Sequence, residues 1–257
     1  MKPLHHRDLG GQGKPPLVVL HGLLGSSRNW QTVGRDLASH FHVLAVDLRN
    51  HGASFHAGEM EWHALVEDVR HWLDSQSLIR AVLLGHSLGG KVAMRLACRH
   101  PDRIDGLIVV DIAPKDYRSH AHRAEFAAMT ELDLTTIDSR ATAELRFEAR
   151  VPDWGMRKFL TTNLERDENG GWRWSIPLAE LTAALPRLES NSLEPTDQYA
   201  GPAVFIVGGK SRYVLPADHE SILRHFPQAR IETMDGVGHN PHMEAREPFV
   251  RAVLRFA

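Results

Sequence analysis

The stretch Gly85-His86-Ser87-Leu88-Gly89 decides the fold of this chain. It follows the apolar run 81–84 and precedes a helix-like run that begins at Gly90. A Gly-x-Ser-x-Gly sequence between a strand and a helix is typical of a nucleophile elbow, a sharp turn that projects the serine hydroxyl into a cleft. The two outer glycines remove side chains that would collide with neighbouring backbone. The pattern therefore predicts a nucleophile, Ser87, at the end of a buried strand.

Short apolar runs alternate with helical patterns on both sides of this turn. Each run is bounded by Gly, Pro or polar residues, as expected for strands that are covered on both faces. Helical spacing of apolar residues is clearest over 62–73. The alternation predicts an α/β fold, with a mostly parallel central sheet, right-handed crossovers and flanking helices. The predicted strands are 17–20, 43–46, 81–84, 107–110, 203–207 and, with weaker alternation, 230–234.

The region 114–195 breaks this alternation. It has helical stretches and no strand-length buried run. We interpret it as a helical cap inserted before the penultimate strand, above a core made of residues 1–113 and 196–257. The alternative is that its helices only cover one face of the sheet. Trp172 and Trp174 alternate with Arg173, which favours a small hairpin within the cap.

Composition limits the other possibilities. The 257 residues are 42% apolar and 24% charged, which suits a large folded core. Thirty basic residues against 32 acidic ones, with no long basic run, argue against a nucleic-acid partner. No stretch reaches the ~20 apolar residues of a membrane span, and the first residues lack the apolar segment of a signal peptide. Together with a single cysteine, Cys98, these features predict a cytoplasmic protein.

A histidine near the C-terminus is the predicted general base. Acyl transfer by a serine needs a base, a group that orients the base and donors for the oxyanion. His239 lies in a glycine-rich segment just after the last predicted strand, so we expect it to reach Ser87. His242 is the nearest alternative, but it follows a proline at the start of the next helix. His86 adjoins the nucleophile, and we expect it to point away and to be structural.

Five segments, 21–26 (HGLLGS), 47–54 (DLRNHGAS), 85–91 (GHSLGGK), 110–114 (VDIAP) and 236–239 (GVGH), can be compared with known families. Together they resemble the α/β-hydrolase superfamily and, within it, the YbfF group of bacterial esterases and its mitochondrial relatives. The resemblance implies a Ser-Asp-His esterase or thioesterase that needs no cofactor, with its acid after the strand at 107–110. One departure is Lys210, where we expect an asparagine before Ser211.

Two backbone amides are predicted to hold the oxyanion. In this fold one N–H group comes from the residue after the nucleophile, and the other comes from the loop after an early strand. Those positions are Leu88 and Leu23. Leu24 is the alternative for the second donor.

The acid of the triad is the least direct of these predictions. Chain order in this fold is serine, acid and histidine, so the acid lies between positions 87 and 239. The loop 208–214 contains no carboxylate, whereas Asp111 ends the buried run one strand over from the elbow. We therefore predict Asp111, which would fix the imidazole tautomer. Asp218, Asp235 and a purely structural role for Asp111 stay open.

The predicted function is a serine hydrolase that cleaves carboxylic esters through an acyl-enzyme, and the resemblance implies short to medium acyl chains. The expected partner is a small-molecule ester or thioester. Alternatives on the same triad are an acyl-CoA thioesterase, a C–C bond hydrolase, a perhydrolase or a non-catalytic ligand-binding homologue. No full metal-ligand set appears at metalloprotease spacing, so we expect no metal. Candidate pocket residues of the cap are Phe126, Met129, Trp154 and Phe159.

Overall fold

A seven-stranded sheet forms the centre of this computed structural model, which describes residues 2–117 and 121–256. In chain order the strands are β1 (His6–Asp8), β2 (Pro16–Leu20), β3 (His42–Val46), β4 (Ala81–His86), β5 (Ile104–Val110), β6 (Leu164–Arg166), β7 (Trp172–Trp174), β8 (Ala203–Gly208) and β9 (Ala229–Met234). The sheet order is β1-β3-β2-β4-β5-β8-β9, and β6 pairs with β7 separately. Every pairing in the sheet is parallel except that of β1 with β3.

Helices cover both faces of the sheet. They are α1 (Gln31–Leu37), α2 (Trp62–Ser75), α3 (Leu88–Arg99), α4 (Ala121–Glu131), α5 (Arg140–Phe147), α6 (Trp154–Thr161), α7 (Leu178–Glu189), α8 (His219–His225), α9 (Pro241–Glu244) and α10 (Arg246–Leu254). Alternate strand residues enter opposite cores: Val18 packs with α2 and α3, whereas Val19 packs with α1 and α10. Among the described residues, no helix is long and apolar enough to cross a membrane.

The edge strand β1 is absent from the sequence prediction. Its residues, His6-Arg7-Asp8, are charged or polar and lack the apolar run that marks the inner strands. They nevertheless pair antiparallel with β3, where His6 faces Val46 and Asp8 faces Leu44. Polar side chains suit an edge because they discourage pairing with another chain. Pairing at an edge therefore needs no local apolar signal.

The chain between β5 and β8 forms the predicted insertion before the penultimate strand. Its described part contains α4, α5, α6, α7 and the hairpin of β6 and β7. The hairpin prediction is confirmed, since Leu164 pairs with Trp174 and Arg166 with Trp172. Residues 118–120 lie outside the described residues. The division into a core of 1–113 and 196–257 and a cap of 114–195 stays a prediction.

Two basic side chains of α3 bind the end of this insertion. Lys91 Nζ donates hydrogen bonds to the carbonyl oxygens of Leu188 and Glu189, both at 3.1 Å, and of Ser190 at 2.6 Å. Arg95 donates to the carbonyl oxygen of Ser192. The last carbonyls of a helix have no partner within it, so Lys91 satisfies the end of α7. These bonds join the insertion to the helix that follows the elbow.

Candidate active site

The turn between β4 and α3 holds Ser87 in a strained backbone conformation. Its φ is 50° and its ψ is −114°, a region that residues other than glycine rarely adopt. A Cβ atom on Gly85 would lie 2.3 Å from the carbonyl oxygen of Gly89, and one on Gly89 would lie 2.3 Å from that of Leu20. Both glycines are therefore needed for the strand and the helix to approach so closely. The predicted strand-turn-helix setting of Ser87 is confirmed.

Ser87 and His239 line the same cavity, which has a volume of about 420 Å³. His239 comes from the loop between β9 and α9. Among the described residues, its hydrogen bonds run to Asp111 through Nδ1 and to His86 through its carbonyl oxygen, and none joins it to Ser87. Catalytic hydrogen bonds are often long without substrate and shorten when it binds. The structure thus places the predicted nucleophile and base on one cavity wall.

Asp111 lies directly behind His239. Its Oδ2 atom is 2.7 Å from Nδ1 of His239, and its Oδ1 atom accepts a 2.9 Å bond from the amide of Gly208. The side chain is fully buried. An Nδ1–H group that donates to this carboxylate leaves Nε2 of His239 as the proton acceptor.

The alternative acid, Asp218, has a different partner. Its Oδ2 atom binds Lys115 Nζ at 2.5 Å and accepts a 2.8 Å bond from the amide of Leu215. This arrangement neutralises the carboxylate outside the pair of His239 and Asp111. The structure therefore brings Asp111, and not Asp218, to the imidazole.

The loop after β8 supplies two further side chains to the site, and the sequence pattern assigns no role to either of them. Ser211 donates a hydrogen bond from its hydroxyl to Oδ2 of Asp111. The ring of Tyr213 stacks on the imidazole of His239, with the ring centres 3.7 Å apart and the planes 15° apart. The available signal is the position of this loop at the carboxyl end of β8, the neighbour of β5. Together the two residues hold the acid and the ring in place.

The two predicted oxyanion donors have free amides near Ser87. Among the described residues, neither the Leu23 nor the Leu88 amide donates a backbone hydrogen bond. Leu88 begins α3, whose first N–H groups have no partner within the helix. The amide of Leu24, the alternative donor, instead gives a 3.2 Å bond to Nε2 of His51. This geometry favours Leu23 over Leu24, and the role of both amides stays a prediction.

Buried histidines support the loops around the cavity. His86 donates from Nε2 to the carbonyl oxygen of His239 at 2.8 Å, and burial lowers the pKa of His86 well below its ordinary value. The ring of His242, the alternative base, stacks on Trp30 with the ring centres 4.2 Å apart. Burial lowers the pKa of His242 to about 3. Both rings are therefore neutral, and the structural role expected for His86 agrees with its contact.

Of the four candidate pocket residues in the insertion, Phe159 lines the cavity. Phe126 and Met129 are buried in the hydrophobic core instead. Trp154 is 57% exposed, with the Nζ atom of Lys158 lying 4.0 Å from its ring centre. These three residues are not part of the described wall of this cavity, and the sequence leaves that open because apolar spacing on a helix does not distinguish a core wall from a cavity wall.

A second, smaller space of about 30 Å³ shares Ser87, Leu23 and His122 with the larger cavity. A space of this size holds about one or two water-sized groups. Of the two spaces, the larger one therefore has the volume for an acyl chain.

Comparison with known proteins places this geometry in context. A family model described as alpha/beta hydrolase fold matches residues 15–246. The sn-1-specific diacylglycerol lipase ABHD11 of Mus musculus is 36% identical over 99% of this chain and 85% of the relative. Esterase YbfF of Escherichia coli (strain K12) is 35% identical over 94% of this chain and 92% of the relative. A solved marine microorganism esterase has a TM-score of 0.96 at 33% identity, with all of both chains covered.

Proposed function

Because this chain belongs to the alpha/beta hydrolase family and resembles its YbfF group, we propose that it is a serine hydrolase that cleaves carboxylic esters of short to medium acyl chains. One observation carries the proposal. Ser87 lies on a strained turn in the wall of the cavity that it shares with His239, whose Nδ1 atom is bound to Asp111. That combination is the arrangement a serine needs to become a nucleophile.

The reaction proceeds through an acyl-enzyme. His239 Nε2 accepts the proton of the Ser87 hydroxyl while the serine oxygen attacks the ester carbonyl carbon. The amides of Leu23 and Leu88 stabilise the resulting oxyanion. The imidazolium, stabilised by Asp111, gives its proton to the leaving alcohol as the carbon–oxygen bond breaks. Water, deprotonated by the same imidazole, then releases the carboxylic acid and restores the serine.

We propose esters rather than thioesters as the substrates, because the similar proteins above are named as esterases and a lipase. The 420 Å³ cavity lies within the range of volumes that bind small molecules, and Phe159 and Met156 give it apolar wall. This size fits short to medium acyl chains. A cytoplasmic location stays a prediction from the sequence.

The test is hydrolysis of p-nitrophenyl butyrate by the wild type, by Ser87→Ala and by Ser39→Ala, an exposed serine as the matched control. We expect Ser87→Ala to lose at least about 10³-fold in kcat, as in other triad enzymes, and Ser39→Ala to keep the wild-type rate. Equal rates for Ser87→Ala and the wild type would reject the proposal. Longer p-nitrophenyl esters test the chain length, and palmitate should be cleaved more slowly than butyrate.

A further inference from the structure

A carboxylate of the insertion belongs to the cavity that contains Ser87. Glu125 lies on α4, and it lines the wall together with Ser87 and His239. Its Oε2 atom is buried and has no hydrogen-bond partner among the described residues. Burial raises the pKa of the Glu125 carboxyl group. A buried acceptor without a donor costs free energy, which a donor on a bound molecule recovers when the carboxyl group turns toward the cavity.

The other carboxylates in the described cavity wall already have partners. Asp153 caps α6 by accepting a 2.6 Å bond from the amide of Met156. Glu244 accepts bonds from the amides of Gly238, at 2.7 Å, and Asn240, at 3.0 Å. These acceptors shape the fold, whereas Oε2 of Glu125 has no hydrogen-bond partner in the described chain. Its position in the cavity thus points to a ligand rather than to folding.

A neighbour of Glu125 on α4 lies close to the ring that stacks on the imidazole of His239. His122 lies three residues earlier, on the same side of the helix, and also lines the cavity. Its Nε2 atom is 3.5 Å from the hydroxyl of Tyr213, whose ring stacks on His239. Burial lowers the pKa of His122 to about 4, so its ring is neutral and supplies no positive charge to Glu125. The Glu125 side chain therefore shares the cavity with Ser87 and His239, and one of its oxygens has no partner among the described residues.

We infer that Glu125 determines substrate specificity by accepting a hydrogen bond from a hydroxyl group carried by the ester. This inference rests on the proposed function, because it concerns which esters the same cavity takes. A carboxyl oxygen without a partner accepts a hydrogen bond, so a substrate hydroxyl satisfies it. A methyl group in the same place leaves the oxygen unpaired, and sites built in this way reject such analogues. The protein prefers hydroxyl-bearing esters to alkyl esters of equal size.

The test uses two pairs of esters in which a terminal hydroxyl replaces a terminal methyl group. Hydroxypropyl butyrate against butyl butyrate places the hydroxyl on the alcohol side, and methyl hydroxyhexanoate against methyl heptanoate places it on the acyl side. We expect the wild type to favour the hydroxyl ester in one pair by about tenfold in kcat/KM, as for loss of one hydrogen bond to a charged group. In Glu125→Leu this ratio falls to near one.

Glu131→Leu is the matched control, since Glu131 is on the same helix but exposed and paired with Arg150. It should keep the wild-type ratio. The ratio of kcat/KM for two esters, measured on one preparation, does not depend on the fraction of folded protein. A destabilised variant therefore still gives a valid ratio. A wild-type ratio near one in both pairs, or an unchanged ratio in Glu125→Leu, overturns the inference. Failure of the proposed function is a separate result, namely Ser87→Ala cleaving these esters at the wild-type rate.

Discussion

Asp111 shows how hydrogen bonds hold a buried carboxylate in one orientation. Its backbone has a φ of 48°, and its amide donates a 2.9 Å bond to the carbonyl oxygen of Ile206. Its two carboxylate oxygens accept bonds from Gly208, Ser211 and His239. Such bonds offset the cost of removing a carboxylate from water. The acid is therefore fixed in one orientation before any substrate arrives.

Replacement of this carboxylate should separate the two candidate acids. Asp111→Asn should lower kcat for p-nitrophenyl butyrate about 10⁴-fold, because the amide no longer enforces the imidazole tautomer. Asp218→Asn should leave kcat near that of the wild type, since Asp218 binds Lys115 instead. Steady-state kinetics of both variants give the answer. Equal activity of Asp111→Asn and the wild type would remove Asp111 from the mechanism.

At the residue scale, spacing and chain order are enough to select Ser87, His239 and Asp111 as candidates. Ser211 and Tyr213 receive no role because their contacts are made across the sheet, from β8 to β5 and to the loop after β9. No local pattern tells which polar side chains of a loop turn toward a distant carboxylate. Contacts of this kind are decided by tertiary packing.

At the element scale, the elbow depends on close approach between β4, α3 and the end of β2. Gly89→Ala should destabilise the fold by about 1–3 kcal/mol or more, because the added Cβ atom would collide with the carbonyl oxygen of Leu20. A backbone oxygen cannot shift as easily as the end of a flexible side chain. Gly58→Ala is the control, because no atom of the described residues lies within 4 Å of a Cβ placed there. Urea denaturation compares the two free energies of unfolding. Similar values for both variants would contradict the steric argument.

The contact between α3 and the end of α7 makes a second element-scale prediction. Lys91→Met leaves the carbonyl oxygens of Leu188, Glu189 and Ser190 without their donor. We expect faster amide hydrogen exchange in the last turn of α7 and the segment that follows, because this end of the insertion opens more often. Lys158→Met, on the exposed face of α6, is the control. Unchanged exchange in α7 would show that Lys91 does not hold this end.

Element types follow from the sequence where apolar periodicity is continuous, as in β2, β4 and β8. The strand β1 and the ends of the inserted helices cannot be predicted in this way. The strand is polar and gains its hydrogen bonds only from β3. Helix ends depend on caps such as Asp153, which accepts from the amide of Met156, and apolar spacing does not report a cap.

On the scale of the whole molecule, buried neutral histidines make stability depend on pH. Burial lowers the pKa of His51 and His242 to about 3 and that of His86 well below its ordinary value. The unfolded chain takes up protons at these residues as the pH falls below about 6.5, and the folded chain does not. The free energy of unfolding should therefore decrease by about 1.4 kcal/mol per pH unit for each histidine below that pH.

Urea denaturation between about pH 6.5 and pH 5 measures this slope before most carboxylates titrate. His242→Asn should reduce the slope by about one proton, because it removes one group that binds protons only when unfolded. His40→Gln, at an exposed position, should leave it unchanged. An identical slope in His242→Asn and the wild type would contradict the assignment of a neutral ring.

The overall architecture can be predicted from the alternation of strands and helices together with the fold rules for parallel sheets. The placement of the insertion was also accessible, because the alternation stops after β5 and resumes at β8. Which of its side chains face the cavity was not, as Met129 and Trp154 show. Burial against the core and exposure to the cavity need the same apolar residues, so periodicity alone does not separate them.

The path of the chain at β5 and β8 has a consequence for engineering. Residues 117 and 189, near the two ends of the inserted segment, lie together, because the amide of Tyr117 donates a 2.7 Å hydrogen bond to the carbonyl oxygen of Glu189. Ser87, His239 and Asp111 all lie outside residues 117–189. Replacing this inserted segment with the corresponding segment of a relative should change which substrates enter the cavity. The three residues that act on the ester bond would keep their positions. A successful graft has to end on carbonyl oxygens that Lys91 can still reach.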